Sequence, residues 1–211
     1  MKFILHFAII ITFIAAIHGY HFLGGTLTWR PLNESDTGSP VAIVVTQTYS
    51  WTYSLMSCTD AMIASNQFVP NYWTVSSDQL ICISNCGSGS IGYSNINVIP
   101  RCTDFSAPVG TTVGQRSDIV YLDSVDNFSI AYQSGTWRPL ATNSFAYWSI
   151  STHINLEKRS DNDLYNNAPV ATMMSPINIP INQPTVINIP VGDADGDTLR
   201  CRWSTSSNGV E

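Results

Sequence analysis

The sequence predicts an all-β protein, on the strength of three observations. Several short stretches alternate between apolar and polar residues, clusters of Gly, Pro, Asn and Ser separate them, and helical periodicity is almost absent. Charged residues make up only 11% of the 211 residues, and Ser, Thr and Asn fill the polar positions instead. Many short strands joined by turns are typical of a β-sandwich or barrel, and we expect a sandwich.

The first predicted strand covers residues 21–32. Leu27 and Trp29 fall on the same face of this strand. Adjacent glycines, Gly24 and Gly25, predict a bulge or a close approach of another backbone.

Two later stretches carry the strongest strand patterns. Residues 41–51 are rich in β-branched and aromatic side chains, and the first half is apolar on both faces, which predicts burial on both sides. Residues 145–157 alternate cleanly, with Trp148 and Ile154 on the face predicted to enter the core. Further strands are predicted at residues 80–83, 118–122, 128–132, 185–191 and 199–204, with one helical turn at residues 60–65.

The N-terminus has the organisation of a secretory signal peptide. Lys2 precedes an apolar run over residues 3–17, and small residues at Ala16 and Gly19 suggest cleavage near Gly19, which gives a signal peptide over residues 1–19. An uncleaved anchor is the alternative, but the run is short for a membrane span of about 20 residues. No later stretch is apolar enough to span a membrane, so we expect a secreted, extracellular protein.

The charge of the chain excludes one class of partner. The formal net charge is −6, and no run of Lys or Arg is present. Nucleic-acid binding depends on a basic patch. We therefore expect no nucleic-acid partner.

Five cysteines in an exported chain predict disulfides. We favour Cys58–Cys102 with Cys82–Cys86 nested inside; the pairing Cys58–Cys82 with Cys86–Cys102 is almost as well supported. Cys201 is left unpaired within this chain. No histidine lies near these cysteines, which disfavours a zinc site.

Two sequons predict N-linked glycosylation. One is Asn33-Glu34-Ser35 and the other begins at Asn127. Acceptor asparagines of this pattern lie on the surface of secreted proteins.

A change in composition divides the mature chain. Residues 20–157 contain most of the predicted strands and form a β-sandwich domain. Residues 158–168 are polar and are predicted to be a hinge. Residues 169–211 carry regularly spaced prolines, which exclude a helix and favour edge strands or extended chain. We interpret this last region as the first strands of a second, incomplete β-sandwich.

An acidic turn follows in that region, with Asp193, Asp195 and Asp197 within five residues. One interpretation is a turn in which aspartate side chains bond to their own backbone and Gly196 adopts a positive φ. The other is a Ca²⁺ site, since Ca²⁺ takes six to eight oxygen ligands. Acidic residues of the hinge could then contribute further ligands.

The stretch from residue 170 to Trp203 resembles the start of an immunoglobulin-like, PKD-like or cadherin-like domain. The match consists of a strand after Pro169, a second strand, the DADGD turn and a strand bearing Trp203. The resemblance implies that Trp203 packs between two sheets. Residues 20–157, with GGTLTWRPL near the start and WSISTHINL at the end, look like an N-terminal module of large secreted proteins of aquatic invertebrates, which implies only an extracellular location. We therefore expect an immunoglobulin-like or jelly-roll-like sandwich.

The sequence favours a non-enzymatic function. The mature chain has two histidines, His21 and His153, and no nucleophile or metalloprotease motif is present. We expect a structural or adhesive glycoprotein module, and its most concrete form is a subunit of an extracellular fibril assembled by β-strand complementation.

Two alternatives stay open beside this expectation. The first is a carbohydrate-binding module that stacks sugars on Trp73, Trp137 or Tyr93. The second is a calcium-dependent adhesion module of a longer extracellular protein. Other extracellular proteins or further copies of this chain are the expected partners.

Overall fold

The computed structural model describes residues 22–70, 78–86, 93–140, 146–172 and 177–204. The predicted signal peptide and Trp73 lie outside these ranges. The elements are β1 (Phe22–Pro31), β2 (Val41–Thr52), α1 (Asp60–Ala64), β3 (Gln79–Ser84), β4 (Ile96–Asn97), β5 (Arg101–Ser106), β6 (Thr111–Leu122), β7 (Asn127–Ser134), β8 (Trp148–Asn155), β9 (Val170–Ala171) and β10 (Val191–Gly192). Across the described ranges, none of the helical structure is long and apolar enough for a membrane span.

Two four-stranded antiparallel sheets form the body of the protein. Their strand orders are β1-β2-β6-β5 and β4-β3-β7-β8. Each consecutive pair, β1–β2, β3–β4, β5–β6 and β7–β8, is a hairpin within one sheet, so the chain crosses between the sheets after every hairpin. This arrangement confirms the predicted all-β sandwich.

The core lies between the two sheets and follows the alternation of the strands. On β2, Val41, Ile43 and Val45 are fully buried, and on the opposing sheet Ile130 and Ile154 are also fully buried. Burying an aliphatic side chain of this size stabilises the fold by about 1.5–3 kcal/mol. The face predicted from the alternation of residues 145–157 is therefore the buried face of β8.

An aromatic cluster closes one end of the core. Phe22 stacks on Trp148 with ring centroids 3.7 Å apart, and its ring also meets Trp51 edge-on at 5.1 Å. The indole N–H of Trp148 donates to the Gly135 carbonyl at 2.7 Å. Because large buried rings combine area with a satisfied polar atom, this cluster fixes β1 against β8.

The glycines of β1 have the predicted role. The register of β1 against β2 shifts between Phe22 and Gly24, which is the expected irregularity. A methyl group at Gly25 would collide with the Thr48 carbonyl oxygen and with the side chain of Ile150. Gly25 therefore permits a close approach of backbone and core.

One prediction about β2 was wrong. Its outward-facing residues Ala42 and Val44 are only partly buried, and on β6 their cross-strand neighbours Tyr121 and Ile119 are 60% and 54% exposed. Residues Ala168, Val170 and Ala194 reach this face only beside Val44, and they leave Ile119 and Tyr121 exposed. An apolar residue on a strand predicts burial only if something packs over it.

Polar strand residues escaped the sequence prediction. We predicted a strand at residues 118–122, whereas β6 begins at Thr111 and pairs with β2 over the full length of both strands. β5 was missed altogether. Backbone hydrogen bonds hold a polar segment in a ladder as firmly as an apolar one when a neighbouring strand supplies the partners.

The C-terminal strand predictions were also wrong. Residues 185–190 and 199–204 form no ladder, and β10 pairs with β9 through only two residue pairs. Trp203, expected from the resemblance to pack in a core, is 91% exposed. A strand exists only when a neighbour accepts its hydrogen bonds, and the described residues supply few neighbours here.

The favoured disulfides, Cys58–Cys102 and Cys82–Cys86, are confirmed, and the alternative pairing is excluded. Cys58–Cys102 links the start of the α1 region to β5. The helical turn predicted at residues 60–65 is α1, and Thr59 caps it, since its hydroxyl accepts a hydrogen bond from the Met62 N–H. Cys201 is free and exposed.

Candidate functional site

Residues 158–168, predicted as a polar hinge, lie against the sandwich. Tyr165 is buried, and its N–H donates to the Glu34 carbonyl at 3.0 Å. The Ala168 N–H donates to the Trp29 carbonyl of β1, also at 3.0 Å. These contacts bring the chain after β8 to the outer edge of the first sheet.

The acidic turn has the self-bonded geometry that one of our two interpretations predicted. One carboxylate oxygen of Asp193 accepts hydrogen bonds from the N–H groups of Asp195 at 2.9 Å and Asp197 at 3.2 Å. Gly196 has a φ of +77°, where a side chain would be strained. The turn is therefore formed locally, before any distant partner is considered.

Arg159 joins this turn to the segment before it. Its guanidinium donates to both carboxylate oxygens of Asp197 at 2.6 and 2.9 Å, and to both oxygens of Asp161 at 3.1 Å. The guanidinium also lies 3.6 Å from Asp195. Paired hydrogen bonds from a planar guanidinium to a carboxylate add geometric specificity to the attraction of the charges.

The pKa values of these groups follow from the contacts. Hydrogen bonds from Arg159 lower the pKa of Asp161 and the pKa of Asp197. The same hydrogen bonds raise the pKa of Arg159. All three groups are therefore charged over the whole range of ordinary pH.

Asp195 is more enclosed than Asp197, with 9% of its side chain exposed against 47%. Its carboxylate accepts from the backbone N–H of Asn167 at 2.6 Å and from the Asn167 side chain at 3.0 Å. The amide of Asn167 also donates to the Glu34 carboxylate at 2.9 Å. We call the set Arg159, Asp161, Asn167, Asp195 and Asp197 the Arg159 latch, because it joins the acidic turn to residues 159–167, which dock on the sandwich.

The acidic turn contains the residues that could hold a metal. One carboxylate oxygen from each of Asp193, Asp195 and Asp197 lies within 4.8 Å of the others. Oxygen donors suit Ca²⁺, which needs six to eight of them. However, Arg159 already supplies positive charge to Asp195 and Asp197. Calcium would therefore compete with the guanidinium for these oxygens.

The predicted sugar-stacking residues are packed where the structure describes them. Trp137 meets Phe22 edge-on at 5.3 Å, and Tyr93 lies 5.4 Å from Phe128. The Tyr93 hydroxyl donates to the Leu80 carbonyl at 2.7 Å, and burial raises its pKa. Both rings are partly buried. Trp73 lies outside the described residues.

His153 faces solvent on β8, as predicted. Its Nδ1 lies 3.0 Å from the Ser129 hydroxyl across the β7–β8 ladder. A catalytic triad adds an acid that orients the histidine. Within the described ranges no acidic side chain is hydrogen-bonded to His153, so the pair has the geometry of a cross-strand contact.

A second feature of the C-terminal region is apolar. Isoleucines recur at alternate positions of residues 177–181 and again at residues 187 and 189. Their side chains are between 43% and 88% exposed. We call them the isoleucine rows: Ile177, Ile179, Ile181, Ile187 and Ile189.

The edges of the first sheet are covered, in contrast to these rows. Outside β1, the Phe22 N–H donates to the Thr136 carbonyl, and the Arg138 N–H donates to the Phe22 carbonyl, both at 3.1 Å. Outside β5, the Cys102 N–H donates to the Gln67 carbonyl at 2.9 Å. Covering an edge strand in this way blocks its pairing with another chain.

Comparison of the chain with protein-family models, with curated proteins and with solved structures found no match. We therefore classify the protein from its fold and its internal contacts alone. It is an all-β, disulfide-linked protein with antiparallel sheets in a sandwich and a C-terminal segment docked on it. The resemblance stated from the sequence stays a prediction.

Sequence reasoning missed Arg159, the residue at the centre of the latch. A local signal was present, because Arg159 and Asp161 are two residues apart in a polar stretch. The contact with Asp197 spans 38 residues and leaves no such pattern. Only the path of the chain brings these charges together.

Proposed function

We propose that this chain is a non-enzymatic structural or adhesive module of an extracellular protein, and that its C-terminal segment assembles with β-strands of another copy. The observation that carries the proposal is the exposure of the isoleucine rows in a segment that the Arg159 latch holds in place.

The energetics favour a strand as the occupant. Burying each isoleucine side chain would contribute about 1.5–3 kcal/mol. The β9–β10 ladder has only two residue pairs, so the extended backbone beside it has unused hydrogen-bonding capacity. A β-strand from another copy satisfies both needs at once, since it offers a backbone edge and alternate apolar side chains.

The latch supports a repeating assembly. It gives the C-terminal segment one orientation relative to the sandwich, so each copy would present the same surface in the same direction. A contact between two different surfaces that does not close into a ring produces a filament. A fibril is therefore the expected product.

The extracellular location is part of the proposal. It is supported by the predicted signal peptide and by two disulfides, since disulfides persist in oxidising compartments.

Self-association is tested by light scattering after size exclusion, and by electron microscopy, over a range of protein concentrations. The variant I179K/I189K should stay monomeric, because each lysine places a charge in an isoleucine row. Its control, Thr198→Lys, adds a charge at an exposed polar position of the same segment and should assemble like the unmodified protein. An unmodified protein that stays monomeric at high concentration would refute the assembly.

Calcium-dependent adhesion is a second candidate, favoured by the spacing of the three turn carboxylates. Because the Arg159 guanidinium already forms ion pairs with two of them, we expect calorimetry to detect no heat of Ca²⁺ binding. The melting temperatures in Ca²⁺ and in EDTA should be equal. Binding by the unmodified protein would make calcium, not Arg159, the cation that organises the turn.

A further inference from the structure

We propose that Asn33 is an acceptor of N-linked oligosaccharide in the folded protein, whereas Asn127 can accept one only before its strand has paired. The two sequons are equivalent in sequence. They differ in the backbone that surrounds them.

The Asn33 sequon lies in the exposed loop between β1 and β2. The side-chain oxygen of Asn33 accepts hydrogen bonds from the Ser35 N–H at 3.2 Å and from the Ser35 hydroxyl at 3.0 Å. Asn33, Glu34 and Ser35 are all exposed. The sequon therefore forms a side-chain turn on the surface, where an enzyme can enclose it.

Contacts on the other side of the loop hold this turn in place. The Glu34 carbonyl accepts from the Tyr165 N–H, and its carboxylate accepts from the Asn167 amide. These contacts use Glu34 and leave the flanking Asn33 and Ser35 side chains at the surface. An enzyme that encloses this sequon would have to break these two contacts, but residues 33–35 belong to no strand ladder.

The Asn127 sequon lies within β7. Asn127 and Ser129 pair with Asn155 and His153 of β8, and Phe128 between them is 4% exposed. The Ser129 hydroxyl is bonded to the His153 ring. An enzyme that must surround three consecutive residues would have to pull β7 from the sheet and Phe128 from the core.

The reaction is a glycosyl transfer from a lipid-pyrophosphate-linked oligosaccharide. A bond forms between Nδ2 of Asn33 and C1 of the first sugar, and the bond from C1 to the pyrophosphate oxygen breaks. The lipid pyrophosphate leaves with the electron pair of that bond, and the amide nitrogen gives one proton to a base of the transferase. The donation from the Ser35 hydroxyl draws electron density to the amide oxygen and favours loss of that proton.

In the cell this modification depends on the export that the proposed function includes. The test avoids that dependence by using purified protein, so it can fail or succeed independently of fibril assembly. The chain is produced without glycans and with both disulfides formed. It is then incubated with a eukaryotic oligosaccharyltransferase and a lipid-pyrophosphate-linked oligosaccharide, either folded or after reduction and denaturation, and site occupancy is read by mass spectrometry.

We expect the folded protein to be modified at Asn33 and not at Asn127, and the denatured chain to be modified at both. Ser35→Ala should lose all occupancy at Asn33, while Ser35→Thr, which keeps the hydroxyl, should retain it. Because both variants lie in an exposed loop, they should fold alike. Failure of folded Asn33 to react, equal reaction of folded Asn127, or failure of both sequons in the denatured chain would each overturn the proposal.

Discussion

The sandwich and the C-terminal segment of residues 158–204 are held by different forces. The sandwich buries aliphatic and aromatic side chains between two sheets, as Ile43 and Ile154 do with no exposed surface. The C-terminal segment exposes its isoleucines, and the Arg159 latch ties its acidic turn to residues 159–167 through ion pairs and hydrogen bonds. Residues 165–168 in turn attach to the sandwich through hydrogen bonds to Glu34 and Trp29. Both regions thus contain isoleucines, but only those of the sandwich are covered by a second sheet.

Because different forces hold the two regions, we expect them to respond to different perturbations. Loss of buried area should unfold the sandwich. Loss of the Arg159 charge should release the acidic turn and leave the sandwich folded, because exposed ion pairs contribute little to global stability.

The largest expected effect concerns the aromatic cluster. Phe22→Ala should lower the free energy of unfolding by about 3–5 kcal/mol, as large-to-small changes at buried aromatic sites do. Ile187→Ala, in an exposed isoleucine row of the monomer, should change it by less than about 0.5 kcal/mol. Urea denaturation at low protein concentration measures both, and equal losses would contradict the comparison.

The two disulfides of the sandwich should differ in how much they stabilise it. Cys58–Cys102 spans 44 residues and Cys82–Cys86 spans 4. Since the loop-closure contribution grows with loop length, replacing both cysteines of the long loop with alanine should cost about 2 kcal/mol more than replacing those of the short loop. Chemical denaturation of the two double variants tests this; a costlier loss at the short loop would show that strain or packing decides instead.

Loss of a buried hydrogen bond should lower stability by less than the change in the aromatic cluster does. The hydroxyl of Tyr49 donates to the side-chain oxygen of Gln47 at 2.8 Å, and both residues are fully buried. Tyr49→Phe leaves that oxygen without its donor and should cost about 1–3 kcal/mol. Tyr121→Phe, at an exposed hydroxyl, is the control and should be nearly neutral in the same thermal and urea measurements. If the two variants matched, the Tyr49 contact would add nothing to stability.

Arg159→Gln should release the acidic turn of residues 193–197 from residues 159–167. Without the guanidinium, Asp161, Asp195 and Asp197 repel one another, so amides of residues 193–197 should exchange with solvent faster while the sandwich keeps its midpoint of unfolding. Arg200→Gln, at an exposed position of the same segment, is the matched control and should exchange like the unmodified protein. Unchanged exchange in Arg159→Gln would mean that Asn167 and the backbone suffice for docking.

Acid should open the latch without unfolding the sandwich. Because Arg159 lowers the pKa values of Asp161 and Asp197 in the folded state, their contribution is present above the ordinary aspartate value of about 3.9 and is lost as the pH falls through the lowered values. Carboxyl carbon shifts in an NMR titration should therefore show midpoints below about 3.9. In Arg159→Gln the titration midpoints of Asp161 and Asp197 should rise. Unchanged midpoints would show that Arg159 does not lower these pKa values.

Much of the fold could be predicted because strand patterns are local. The alternation in residues 41–51 and 145–157 identified both strands and the inward face of β8, whereas β2 was expected to be buried on both faces. The spacing of the cysteines left two disulfide pairings almost equally supported, and the structure shows the nested one. Polar strands such as β5 and the first half of β6 could not be found, since their position depends on the backbone of a neighbour.

The candidate site was predictable only in part. The acidic turn was visible as three aspartates around Gly196, and its self-bonded geometry follows from those residues alone. The Arg159 latch was invisible, because it joins residues distant in sequence through the docking of Tyr165 and Asn167 on the loop that contains Glu34.

Local patterns in the sequence were enough to predict the all-β class, the inward face of β8 and the turn at Gly196. These depend on side-chain alternation and on contacts between close neighbours, which a linear pattern records. Only the tertiary structure decided that Ile43 is covered and Ile181 is exposed, and that Arg159 rather than a local residue meets Asp197. Burial and ion pairing each require a second residue, and the fold of the whole chain decides which residue lies near enough to be that partner.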